Sequence, residues 1–493
     1  MMILINKNYK DILGKLLLVL SCIFFIYMIL SPFNNLVFQM DENFTIFLLK
    51  FPLIDMIHMT GADVHPPLYY MICKGVLKIL YLINFQFNII HVLRLVSITP
   101  YFLILIISYL KFKKDYGWFV AGLFPFLLVL MSEFFMYFLN IRMYSWGLLF
   151  ILLSFICFKE IITNFNKKYW VLFTLFSVLG SYTHYYVAIS TFLIYLFLLF
   201  YLIKNNRSEI KFFILSVISA IIFYLPWVVI LLEQLKKVHE SFWIPEVDLN
   251  LIIHCFSYFG PQMQDLSLHY LLICILIIFF VIFIHQSKGL NKEDNWYIIC
   301  GFGVFIGTIF LGVSLSIIYK PILILRYLIP SVAIFWLAVS ILINKIQNNK
   351  LLIVSLILVG LLCISGIVNI IDTNDNLINW GNELKNVLDE LNSDDSVVIL
   401  SNPTSLAYFS PFLSESDIYI LNFENYLTED SNKIHKIYDF KELSINDIQK
   451  LMENSNSKHI YLIEAYSKLD INDSYRNNPM LEYGDGMNFY RIR

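Results

Sequence analysis

The sequence predicts a polytopic α-helical membrane protein that ends in a small α/β domain. Three observations carry that expectation. Of 493 residues, 58% are hydrophobic and only 15% charged, whereas soluble domains are nearer half apolar and a quarter charged. Apolar runs of about twenty residues, each long enough to cross a bilayer, recur through the first three-quarters of the chain. After Ile371 the character changes, and Asp372, Asp375, Glu383, Asp389, Glu390, Asp394 and Asp395 crowd a polar stretch that no bilayer would accept. The formal net charge of −2 gives no sign of nucleic-acid binding.

The runs place about eleven spans, at 16–37, 91–110, 117–138, 143–158, 169–184, 186–203, 212–232, 268–284, 296–318, 326–343 and 351–371. The first follows a basic start, as a leader peptide would. No small-x-small cleavage site follows it, so it reads as an uncleaved anchor. Basic residues mark alternate breaks: Lys7, Lys10 and Lys15, then Lys111, Lys113 and Lys114, then Lys159, Lys167 and Lys168. Lys204, Arg207 and Lys211, Lys288 and Lys292, and Lys345 and Lys350 continue the series. A cytoplasmic N-terminus puts all of them inside, as the positive-inside rule requires, and eleven crossings then put the C-terminal tail outside. The seven cysteines, mostly within the runs, show no C-x-x-C spacing and read as small buried side chains.

Two domains follow, a membrane domain over 1–371 and an extracytoplasmic α/β domain over 372–493. In the second, a helix-like stretch at 380–388 precedes strand-like runs at 397–400, 418–421 and 460–463, with a helical pattern at 445–452. It holds no Gly-rich phosphate loop. The first outer loop, 39–90, is too long for a turn. From Pro66 its apolar residues Leu68, Tyr69, Ile72, Val76, Leu77, Ile79 and Leu80 pattern a helix, with Lys74 and Lys78 on one face. If this helix crossed the membrane, every later lysine-rich loop would change sides. Charge therefore predicts a helix lying in the interface, its lysines reaching for headgroups.

The chemistry-bearing residues cluster near the outer ends of the spans. Asp41-Glu42 comes as the first span emerges, where paired acids are also ordinary solvated loop ends. In Asp63-Val64-His65-Pro66-Pro67-Leu68 the two prolines fix the backbone and start a helix, which a purely structural role would not combine with an acid and a histidine. Arg94-Leu95-Val96-Ser97 opens the second span, Arg142-Met143-Tyr144-Ser145 follows the third, and Arg326-Tyr327-Leu328-Ile329-Pro330 comes late in the bundle. His184-Tyr185-Tyr186 ends the fifth span, either lining a cleft or forming part of an aromatic belt.

In that order these elements resemble the first outer loop and later motifs of the protein O-mannosyltransferases and of their prokaryotic relatives, the aminoarabinose transferases among them. These are GT-C glycosyltransferases that use polyprenyl-phosphate sugars as donors. The resemblance implies a GT-C fold with juxtamembrane helices after the Pro-Pro pair, and an inverting transfer of sugar to a protein, lipid or cell-surface glycan outside the cytoplasm. It makes Asp41 the general base, with Glu42 and Asp63 beside it. Arg326 is the first candidate for the donor phosphate, since arginine grips phosphate in a bidentate fork, with Lys320 and His65 behind it. Arg142, Tyr144, His184 and Tyr185 would line the site, Arg142 either pairing with Asp41 or Asp63 or anchoring a helix end. Arg94 reads as structural. Some family members use a divalent metal, for which Asp41, Glu42 and Asp63 would be the oxygen ligands; the spacing neither demands nor excludes one.

The chain departs from the pattern in three places. Asn140 stands where many prokaryotic relatives carry an acid, His65 stands where aminoarabinose transferases carry a lysine, and the eukaryotic lumenal β-trefoil domain is missing. Sugar and acceptor are therefore not read from the resemblance. The implied partners are a polyprenyl-phosphate-linked sugar, an extracytoplasmic acceptor and the lipid bilayer, in the plasma membrane of a prokaryote. Two rival readings are a transporter or lipid flippase, and a noncatalytic envelope-assembly subunit. A transporter would place charge at the midplane, where this sequence offers only Glu133.

Overall fold

The computed structural model describes residues 7–30, 40–130, 134–240, 244–262, 266–287, 289–391, 396–401, 406, 409, 413, 417–421, 440–444, 447–448, 450–451, 459–465, 476, 479–483 and 487–492. Glu133, Lys288, Asp394 and Asp395 lie outside them. In chain order the first helices are α1 (Lys7–Leu30), α2 (Met40–Leu49), α3 (Leu53–Ala62), α4 (Leu68–Leu82), α5 (Ile89–Ile107), α6 (Lys113–Tyr116), α7 (Trp118–Leu130), α8 (Phe134–Leu139) and α9 (Tyr144–Asn164). Then come α10 (Lys167–Ser181), α11 (Tyr185–Asn205), α12 (Ile210–Glu240), α13 (Leu249–Ser257), α14 (Leu266–Ser287), α15 (Lys292–Ile318), α16 (Ile329–Lys345) and α17 (Asn349–Leu391). The chain forms two compact units. One comprises Met1–Asn34 with Thr60–Thr373, the other Asn35–Met59 with Asn374–Arg493.

The first unit is helical. Among the described residues nine helices are long and apolar enough to cross a membrane, which makes this a multi-pass membrane protein. The third and fifth expected spans are shorter. α7 has 13 residues and is followed by the six of α8, while α10 has 15 and stops where Tyr182 and Thr183 turn the chain. α16 is buried from Ile329 to Ile343, the signature of a helix at the centre of a bundle. α12 is the opposite, with only 11% of its apolar window buried. α1 and α7 meet backbone to backbone. A Cβ on Gly122 would lie 1.9 Å from the Gly14 carbonyl oxygen, and one on Gly14 would lie 2.2 Å from that of Trp118.

The basic breaks converge at one end of this bundle. Lys159 and Lys345 both pair with the buried Asp294, and Lys111 pairs with Glu160 and Asp115. Lys10 donates to the Asn344 carbonyl (2.8 Å), and Asn344 to that of Tyr116 (2.9 Å). α4 is a 15-residue helix, about 22 Å long, too short to cross. It buries Tyr69, Tyr70, Cys73 and Leu77 but exposes Met71, Ile79, Tyr81 and Leu82, with Lys78 beside them. An amphipathic helix with an apolar outer face suits the membrane interface.

The second unit is built on a six-stranded sheet of β1 (Ser396–Leu400), β2 (Asp417–Leu421), β3 (Lys441–Leu443), β4 (His459–Ala465), β5 (Pro479–Tyr483) and β6 (Met487–Arg491). The order is β3-β2-β1-β4-β6-β5. The first four strands are parallel, and β6 and β5 are added antiparallel. Val397, Ile399, Leu421, Ile448, Ile460, Leu462 and Tyr490 form its core. Glu464 is buried against Arg476 in a bidentate pair at 2.6 and 3.0 Å. β3, β5 and β6 were not expected from the sequence. Nor was a final helix of 43 residues, which carries the expected 351–371 and 380–388 segments without a break.

Candidate functional site

Four helices of the first unit begin at one place, the end opposite the lysine clusters. α4 starts after His65-Pro66-Pro67, α9 after Arg142-Met143, α11 after His184, and α16 after the 3₁₀ turn Leu325–Leu328 that carries Arg326. Along α9 the rise from Tyr144 to Glu160 is about 24 Å, close to the depth of a bilayer core. Each helix start is set by its own sequence. Pro67 stands before the first residue of α4, Pro330 fills the first turn of α16, and the His184 ring caps α11 by accepting the Tyr186 N–H at Nδ1 (3.1 Å).

These starts bring the side chains together. The His65 and His184 rings lie 5.6 Å apart, and His184 is 5.6 Å from Tyr144 and 4.6 Å from Tyr327. Arg142 donates through Nη1 to the Tyr70 hydroxyl (3.2 Å). His65, Arg142, Tyr144, His184 and Tyr327 are all buried, and Arg326 is half-buried. Burial, then the Arg142 guanidinium, then His184 and Arg326, hold the His65 imidazole well below its usual pKa. Burial and the same two arginines push that of His184 down to about 3. Both rings are therefore neutral at physiological pH. Two permanent cations, two neutral imidazole donors and four helix N-termini, each with a partial positive charge, make this end of the bundle a place for an anion.

The first loop is held in position by residues that sequence reasoning missed. Gln234 of α12, itself buried, donates through Nε2 to the carbonyls of Asp63 (2.6 Å), Gly61 (3.1 Å) and Thr60 (3.4 Å). Its Oε1 accepts from the Tyr185 hydroxyl, which accepts in turn from Trp227 Nε1 (3.0 Å). The Leu68 N–H donates to the Tyr182 carbonyl (3.1 Å), tying the start of α4 to the end of α10. Tyr185 thus works as a clamp on the loop. Lys320 is half-buried in the connection that leads to Arg326, and that connection is fixed by Tyr186 donating to the Ile322 carbonyl (3.2 Å). Arg94 is completely buried in α5.

Asp41 and Glu42 belong to the other unit, where they form the first turn of α2. Thr45 donates to the Asp41 carbonyl (3.0 Å), Asp41 is half-buried, and Glu42 is fully buried. Among the described residues no three His, Cys, Asp or Glu side chains converge as a metal-binding group.

Neither a protein-family model nor a curated protein matches this chain. Solved structures do. ArnT from Cupriavidus metallidurans bound to undecaprenyl phosphate superposes with a TM-score of 0.58 at 9% identity, covering 97% of each chain. The same protein in the apo state gives a TM-score of 0.58 at 10% identity over the same shares. The chain has the GT-C fold. Within that fold, the cluster of His65, Arg142, His184 and Arg326 draws on motifs whose order in the sequence had already suggested the group.

Proposed function

We propose that this GT-C protein is an inverting glycosyltransferase that moves a sugar from a polyprenyl-phosphate donor to an extracytoplasmic acceptor. One observation carries the reading. The end of the bundle that gathers Arg142, Arg326, His65 and His184 at four helix starts is built for an anion, in a fold whose solved relative ArnT was crystallised with undecaprenyl phosphate. Arg326, with Arg142 and His65, would hold the phosphate, and Lys320 would add charge from the same connection. The acceptor hydroxyl attacks the anomeric carbon as the bond from that carbon to the phosphate oxygen breaks. The electron pair leaves with the phosphate, where cations aimed at developing charge act in a water-poor site. The acceptor's proton goes to Asp41, with Glu42 and Asp63 orienting acceptor or base. The lysine-rich end faces the cytoplasm of a prokaryotic cell, which puts the phosphate end and the sheet-bearing unit outside.

The test is to incubate purified protein with a panel of undecaprenyl-phosphate sugars and measure release of undecaprenyl phosphate. Asp41→Asn should lower turnover by roughly 10²–10⁴ with unchanged expression and Tm. Near-normal turnover in that variant would remove Asp41 as the base.

A further inference from the structure

We propose that His184 binds the donor phosphate directly, donating Nε2–H to a phosphate oxygen from a ring whose tautomer is locked by its helix cap. The inference rests on the glycosyltransferase reading and adds a residue to its phosphate site. The sequence assigns His184 only to a cleft wall or an aromatic belt, whereas the structure gives its two nitrogens different tasks. Nδ1 accepts the Tyr186 N–H at 3.1 Å as the cap of α11. A neutral imidazole that accepts at one nitrogen carries its proton on the other. Nε2 is buried with no hydrogen-bond partner among the described residues, and the whole residue is only 3% exposed.

Leaving a buried donor unsatisfied is costly, and such groups are rare enough in folded proteins to call for a reason. The neighbours supply one. The ring sits 4.6 Å from Tyr327, the residue after Arg326, and 5.6 Å from His65, while Arg142 and Arg326 are close enough to disfavour a charge on it. A phosphate between these arginines would satisfy Nε2–H, and α11 points its positive end at the same spot. Because Nδ1 is held as the acceptor of the helix cap, His184 presents Nε2–H as a fixed hydrogen-bond donor.

Two substitutions separate the cap from the donor. His184→Asn keeps a strong N-cap but deletes the Nε2–H. His184→Gln restores an amide N–H near the Nε2 position and loses the cap. The full-length protein in detergent is titrated with undecaprenyl phosphate and with undecaprenol, and Tm is measured for each variant. We expect His184→Asn to keep its Tm and lose affinity for undecaprenyl phosphate at least about ten-fold, with undecaprenol unaffected. His184→Gln should bind undecaprenyl phosphate nearly as the wild type does, at a lower Tm. If His184→Asn binds undecaprenyl phosphate as tightly as the wild type, the donor role is overturned while the glycosyltransferase reading stands. If it loses Tm as much as His184→Gln and binds both lipids poorly, the division between cap and donor is wrong. A wild type that does not prefer undecaprenyl phosphate over undecaprenol overturns the phosphate site itself, and this proposal with it.

Discussion

His65 and His184 show how a residue's chemistry depends on what surrounds it. In an unfolded chain each would take a proton near pH 6.5. In the folded state burial and the arginines suppress that proton, to about 3 for His184 and in the same direction for His65. The unfolded chain then binds more protons below pH 6.5, so this stabilisation is complete above that value and is lost as the pH falls toward the folded pKa. Unfolding free energy should fall as the pH is lowered from about 7 to about 4.5, by up to about 1.4 kcal/mol per pH unit for each histidine, and Tm with it. The fall should be shallower in His65→Gln. Parallel pH profiles for the two proteins would show that His65 is not held neutral. Sequence reasoning picked out His65, Arg142, His184 and Arg326 because polar residues at span ends are conspicuous in so apolar a chain. It passed over Gln234. Gln234 ends an apolar run beside Glu233 and reads as a helix end, and its task exists only once three carbonyls of a loop some 170 positions earlier face it.

Among elements, the long apolar spans were legible because length and hydropathy suffice to read them. α10 stops at Ser181, short of the expected 184, because hydropathy does not register where a helix turns within an apolar run. The C-terminal strands divide in the same way. β1, β2 and β4 are apolar runs in the middle of the sheet, whereas β3 has three residues and β5 and β6 mix polar with apolar positions. Their pairing comes from the neighbouring strand. The contact of α1 with α7 is a further property that composition hides. Small residues let membrane helices approach closely, and here a Cβ on Gly122 would strike the Gly14 carbonyl, which is backbone and cannot rotate aside. Gly122→Ala should therefore destabilise by about 1–3 kcal/mol, the cost of overpacking. Gly360→Ala, with nothing within 4 Å of the new atom, should be near neutral. Equal melting temperatures for the two variants in detergent would contradict the close contact.

For the whole molecule, the lysine clusters and the cluster of His65, Arg142, His184 and Arg326 occupy opposite ends of one bundle, which turns orientation into a simple measurement. Cysteines introduced at Lys441, in β3, and at Lys167, at the start of α10, should differ. A membrane-impermeant maleimide should label the first in intact cells and the second only after permeabilisation, against the background of the seven native cysteines. The reverse pattern would invert the protein. The convergence of four helix starts has another consequence. His65, Arg142, His184 and Arg326 all lie in the connections before α4, α9, α11 and α16, so most positions in the spans have only to be apolar and to pack. Their side chains can be exchanged freely within those limits, which accounts for an architecture kept over 97% of the chain with 9% of the residues in common. The same separation lets a connection be rewritten for another ligand while the bundle beneath it stays intact.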